Sequence, residues 1–269
     1  MDNAFEGCRS LTSVDIPEGV TDLNHTFRGC SSLTSVDIPE GVTDLSYTFY
    51  DCRSLTSVDL PEGVTDLNHT FSGCSSLTSV DIPESVTRLK DTFNSCYSLT
   101  SVDIPEGVID MEGTFYACIN LTSVDVPATV GRLSETFVSC VRLKSVNILG
   151  DNPLYMSDLS TTFKNCPDLQ YIRFDSSRPP ILDKYPQLSD NVIIYVPKGA
   201  YMAYWLSEWG NYHLEEYDPT DIDTIMCPST KSGTKEYYST SGKRLSAPRR
   251  GVNIIREADG STRKVLISR

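Results

Sequence analysis

The sequence predicts a mainly β solenoid: 22-residue coils with parallel strands and short helical turns, then a C-terminal cap and a small β tail module. Three observations lead there. Phe5, Phe27, Phe49, Phe71, Phe93, Phe115 and Phe137 recur at intervals of 22 residues, and each is followed at steps of three by a cysteine, a leucine and a valine. The period fades near Asp175. Both tryptophans, Trp205 and Trp209, fall just beyond that point. A fixed period of this size belongs to stacked units, each too small to bury its own apolar face.

Within one unit, Leu33-Thr34-Ser35-Val36-Asp37-Ile38 alternates apolar and polar residues as a short strand does. Pro39 ends it, because proline cannot donate to a ladder; prolines 17, 61, 83, 105 and 127 repeat the stop. Val42-Thr43-Asp44-Leu45 forms a second, shorter extended piece. Thr48-Phe49-Tyr50-Asp51-Cys52 suggests a single helical or 3₁₀ turn, since residues three apart share a face. An eighth unit begins at Phe163, 26 residues after Phe137, with an insertion around Leu149-Gly150-Asp151-Asn152. Terminal repeats depart from consensus because one face must end the stack.

Ile193-Ile194-Tyr195-Val196-Pro197 then reads as one more strand, and Tyr201 to Trp209 as an amphipathic helix whose aromatics form a lid over the last coil. Strand-like runs return at Glu236-Tyr237-Tyr238-Ser239, Val252 to Arg256 and Arg263 to Ile267, with turns at Ser241-Gly242-Lys243 and Ala258 to Ser261. The expected organisation is a solenoid of about eight coils over 1–174, a cap over 175–217, a linker over 218–234 and a β module over 235–269.

No run of 18 apolar residues exists, so no membrane span is expected. The chain opens inside a unit, at Ala4-Phe5-Glu6-Gly7-Cys8, with no basic and apolar leader; this reads as a trimmed form without its N-terminal cap. The formal charge is −13, concentrated in the repeats, whereas residues 228–269 are basic. A strongly acidic array repels nucleic acid and anionic lipid. No phosphate loop or dinucleotide fingerprint is present, and no unique Ser-His-Asp constellation stands out.

The units resemble the BspA-like, or Treponema pallidum type, leucine-rich repeats. The likeness rests on Leu33-Thr34-Ser35-Val36-Asp37-Ile38-Pro39, Val42-Thr43-Asp44-Leu45 and Thr48-Phe49-Tyr50-Asp51-Cys52, and it covers about residues 4–174. Threonine stands before phenylalanine where that family usually has alanine; only Ala4-Phe5 keeps it. Ile194 to Gly199 with Tyr204 and Trp209 is similar to the cap that often closes such arrays. The segment from Tyr238 to Ile255 is similar to C-terminal modules of secreted Bacteroides-type proteins. The resemblance implies a bacterial secreted or cell-surface protein acting in adhesion to host matrix or to other cells. It carries over no catalytic residue and no cofactor. The tail, by the same likeness, is a secretion or anchoring signal.

A surface that repeats is the natural candidate site. With Val and Ile pointing inward, stacking aligns Asp15, Asp37, Asp59, Asp81, Asp103 and Asp125 on the outside, ending in Asn147. Beside them runs a serine row from Ser13 through Ser35, Ser57, Ser79, Ser101 and Ser123 to Ser145. Like charges ~4.8 Å apart repel by about 1 kcal/mol per neighbour in water. The row is therefore either a docking strip for a cationic partner or a solvated polar face. Ca²⁺ fits it poorly, because that ion needs about 6–8 oxygens from a shaped loop. Asp22, Asp44, Asp66 and Asp110, interrupted by Arg88 and Arg132, read as ordinary surface charge. The cysteine column reads as buried free thiols, with no Cys-x-x-Cys pair for zinc. His25 and His69 read as surface residues. The leading expectation is a non-enzymatic module that binds a protein or glycan through the strand face. The alternative is a structural spacer that displays another domain.

Overall fold

The computed structural model describes residues 2–151, 155–156, 159–182 and 184–219, and four strands beyond them. It divides into two compact units, Met1–Thr220 and Asp221–Arg269.

In the first unit each coil is counted here from its Leu-x-x-Thr-Phe turn, so the second coil starts at Leu23, the third at Leu45 and the sixth at Met111. That turn is a run of β-turns with the i→i+3 bonds of a 3₁₀ turn, and it does not continue into a helix. Thr26 N–H donates to Leu23 O at 2.9 Å, Cys30 N–H to Phe27 O at 3.0 Å and Leu33 N–H to Cys30 O at 3.0 Å. Two residues per coil have left-handed backbone, which stops any helix. The one two places before phenylalanine has φ of 50–61°, from Asn3 through His25, Tyr47, His69, Asp91 and Gly113 to Glu135. The one two places after has φ of 56–80°, from Gly7 to Asn165. For a non-glycine residue this costs roughly 1–2 kcal/mol. The conformation aims the backbone amide along the stack: His25 N–H donates to Ser46 O, Phe27 N–H to Thr48 O and Gly29 N–H to Tyr50 O, at 3.3, 3.1 and 2.7 Å. The next coils repeat the pattern.

Phenylalanine rings stack down the core from Phe5 to Phe163 with centroids 5.6–5.9 Å apart and planes within 12°. Leucine, valine and cysteine columns pack beside them, fully or nearly fully buried from the second coil to the seventh. Two side-chain ladders reinforce the stack. Threonine hydroxyls donate to the Leu or Met carbonyl of the preceding coil at 2.7–3.0 Å, from Thr48 onto Leu23 to Thr162 onto Leu133. Cysteine thiols donate to the phenylalanine carbonyl of the preceding coil at 2.9–3.1 Å, from Cys30 onto Phe5 to Cys166 onto Phe137.

The opposite side is knit more loosely in the early coils. There the Leu-Thr-Ser-Val segments are extended but joined by few bonds, such as Thr34 N–H to Thr12 O and Thr78 N–H to Thr56 O, both 3.2 Å. Full strands form from the sixth coil: β1 (Ser123–Val126), β2 (Ser145–Ile148) and, after the two-residue β3 (Tyr155–Met156), β4 (Tyr171–Phe174). β5 (Ile181–Leu182) pairs in parallel with β3 as a separate two-stranded sheet.

The cap continues the main sheet. β6 (Ile193–Pro197) and β7 (His213–Tyr217) extend it to five strands in the order β1-β2-β4-β6-β7, with every neighbouring pair parallel. The sequence reading misses β7. The helix is also shorter than expected: α1 spans Tyr201–Trp205, and a 3₁₀ turn covers Glu208–Asn211. Tyr204 and Trp209 close the core. Trp209 Nε1 donates to Pro180 O at 3.0 Å, Tyr204 Oη donates to Ser176 O at 3.0 Å, and Phe174 lies 4.7 Å from the Trp209 ring. Trp205 departs from the expected lid: it is 53% exposed, as are its neighbours Met202 in α1 and Leu206 at the helix C-cap.

The second unit contains a four-stranded antiparallel sheet, order β11-β10-β8-β9. Its strands are β8 (Glu236–Tyr238), β9 (Arg244–Leu245), β10 (Gly251–Arg256) and β11 (Thr262–Ile267). The turns expected at 241–243 and 258–261, and the linker beyond residue 219, lie outside the described residues.

Candidate functional site

The alternation of the Ser-Val-Asp-Ile segment buries Val36, Val58 and Val80 and turns the aspartates out. Asp15, Asp37, Asp59 and Asp81 are exposed; Asp103 and Asp125 are half-buried. Ser35, Ser57, Ser79, Ser101 and Ser123 are exposed, while Ser145 is buried. Asp15, Asp37, Asp59 and Asp81 make no ion pair or hydrogen bond among the described residues. Their mutual repulsion is thus met only by solvent. The row is relieved where it meets the ordered sheet: Asn147 Nδ2 donates to Asp125 Oδ1 at 2.7 Å. The register then runs Asp125, Asn147, Arg173, Tyr195, Glu215. Arg173 is taken by Asp175 at 3.0 Å and lies over the Tyr217 ring at 5.7 Å.

A second carboxylate row went unremarked in the sequence reading. Glu18, Glu40, Glu62, Glu84 and Glu106 follow the aspartates by three residues and are all exposed. The signal was the same 22-residue period. None of the eight Lys and Arg residues of 1–148 stands in either row. Seven of the eight fall on the turn ridge or on the aspartate column that leads into it, so charge is segregated across each coil.

That second aspartate column is more than surface charge. Asp22, Asp44, Asp66 and Asp110 accept from the backbone N–H two residues on, at 2.8–3.0 Å, and so open the ridge turn. Arg88 reaches Asp66 at 3.6 Å and Arg132 reaches Asp110 at 3.3 Å, tying neighbouring coils.

The cysteines described are free. Burial pushes the thiols of Cys52, Cys74, Cys96, Cys118 and Cys140 far above the usual range, and that of Cys166 to about 11. They are poor nucleophiles in the fold. Among the described residues no group of three His, Cys, Asp or Glu is placed to hold a metal ion, and no helix is long and apolar enough to cross a membrane. His25 and His69 are half-buried, not free on the surface: both rings stack on Tyr47.

The profile of the BspA type leucine rich repeat region matches residues 1–113 and 68–185, with six copies. The chain is similar to the crystal structure of a T. pallidum leucine rich repeat protein, at 27% identity and TM-score 0.50 over 58% of this chain and 78% of that one. A leucine-rich repeat protein from Bacteroides ovatus aligns at 21% identity and TM-score 0.49 over 77% of this chain and 69% of that one. A leucine rich cell surface protein from Faecalibacterium prausnitzii aligns at 22% identity and TM-score 0.38 over 65% and 62%. No curated protein matches the chain.

Proposed function

The chain belongs to the BspA-type leucine-rich repeat family, and from that premise we propose that it is a non-enzymatic binding protein, secreted or held at the cell surface, that engages a protein or glycan through its stacked strand face. Proteins of this type are commonly surface-associated. The single observation that carries the reading is the exposed row Asp15, Asp37, Asp59 and Asp81, which no cation of the described residues neutralises. A cationic protein segment laid along the coil axis would replace that repulsion with attraction and meet the serine hydroxyls beside it. Adhesion to host matrix or to another cell is the activity such a strip serves. No cofactor enters the scheme.

The combined change Asp37→Asn, Asp59→Asn and Asp81→Asn tests it. Affinity for a basic matrix-derived peptide, measured at low ionic strength by calorimetry, is expected to fall at least tenfold, with the melting temperature unchanged or raised. Equal affinity for both proteins would remove the strand face from consideration. The spacer reading has one observation in its favour. Thr, Ser and Asp are the same in six successive coils, Thr12-Ser13-Val14-Asp15 to Thr122-Ser123-Val124-Asp125, whereas recognition surfaces tend to diversify.

A further inference from the structure

The chain has three histidines, and two of them share one stack on the turn ridge. His25, Tyr47 and His69 occupy the same left-handed position in the second, third and fourth coils. The Tyr47 ring lies 4.6 Å from His25 and 4.4 Å from His69, with planes within 11°. The next residue in the row, Asp91, places its carboxylate 3.7 Å from His69 Nε2. The room for that carboxylate comes from the sixth coil, where the row has Gly113; a Cβ there would collide with Asp91.

We infer that this row is an acid-sensitive joint in the array: protonation of His69, stacked on Tyr47 and facing Asp91, loosens the contacts among the second to fifth coils, while the sixth and seventh coils hold. The forces on the His69 imidazole can be named. Asp91 and the Tyr47 ring favour the charged form. Burial and the Lys90 ammonium next to Asp91 oppose it. Lys90 is itself held by Glu112 at 3.1 Å, and the Asp66 carboxylate of the fourth coil's approach is occupied by the Asn68 amide and Arg88. For His69 burial is the largest influence, and its affinity for the proton falls below that of a free imidazole. A histidine whose proton affinity is lowered by folding contributes stability that is present above its unfolded pKa and is lost as pH falls through it. The affected bonds are those that carry the ridge there: His25 N–H to Ser46 O, Tyr47 N–H to Asn68 O and His69 N–H to Lys90 O.

Hydrogen–deuterium exchange of the full chain at pH 7.5 and 5.0, corrected for intrinsic rates, reads the inference directly. Peptides holding the amides of His25, Tyr47 and His69 are expected to lose protection at pH 5.0. The loss is bounded at about 30-fold, the ratio of protonated to neutral forms of a free imidazole at that pH. Peptides holding the amides of Gly113, Phe115 and Ala117, which make the same ridge bonds, serve as the control. The double change His25→Phe and His69→Phe keeps the stack and is expected to abolish the difference between the two regions. Asp91→Asn, which leaves burial and Lys90 unopposed, is expected to enlarge it and to lower the His69 titration midpoint seen by NMR. Equal loss of protection in both regions, or a pH difference that survives in the double phenylalanine protein, overturns the inference. Should that protein fail to fold, an Asp91→Asn midpoint that stays put or rises overturns it as well.

Discussion

Thr70 shows what a single side chain contributes to this fold. It is fully buried and gives its hydroxyl proton to Leu45 O at 2.9 Å, one coil back. Thr70→Val keeps the shape and removes the donor, leaving a buried carbonyl one partner short. The expected cost is about 1–2 kcal/mol, read as a lower urea midpoint with an unchanged slope. The alternation of Val, Asp and Ile placed the core and the outward aspartates correctly from sequence, because a period of two leaves no choice of face. The roles of Thr70 and its equivalents stayed hidden. A threonine before each phenylalanine looks like a mere substitution for alanine until the carbonyl above it is known. The same holds for the thiols: hydrophobic filling was legible, donation to the phenylalanine carbonyl was not.

At the level of elements, the ridge turn and the cap were read less well than the strands. Phe and Cys three apart fit a helical turn and a chain of β-turns equally. The deciding left-handed residues are mostly not glycine: His25, Tyr47, Glu135 and Ala117 give no local sign of positive φ. In the cap, two tryptophans four residues apart were assigned to one buried face. The helix ends after Trp205 instead, and the 3₁₀ turn swings only Trp209 inward. Trp209→Ala is therefore expected to cost about 3–5 kcal/mol, the range for removing a large buried aromatic. Trp205→Ala is expected to change stability by no more than about 0.5 kcal/mol. Thermal melts of the two single variants separate these outcomes, and comparable losses in both would contradict the placement of Trp205 outside the core.

Over the whole of the first unit, the unmatched carboxylates and the bonding lie apart. The two carboxylate rows hold no Lys or Arg, and most of the coil-to-coil hydrogen bonds run along the ridge, where the cations are. Screening should therefore help the array more than it harms the few exposed ion pairs. Raising sodium chloride from about 10 mM to about 500 mM is expected to raise the melting temperature, because the Debye length drops from ~30 Å to a few ångströms. A melting temperature that falls with salt would mean that the ridge ion pairs, Arg88 with Asp66 and Arg132 with Asp110, outweigh the rows.

The threonine and cysteine ladders also set the terms on which this chain can change length. Each links one coil to its predecessor 25 residues away, yet across the insertion the same two bonds persist at a separation of 29, Thr162 to Leu133 and Cys166 to Phe137. The four extra residues were absorbed between Ile148 and Leu159, on the stretch that leads from strand to ridge. Growth by whole units, or by loops let out at that one seam, leaves every rung in place. An addition inside Leu-x-x-Thr-Phe-x-x-Cys would shear both ladders at once.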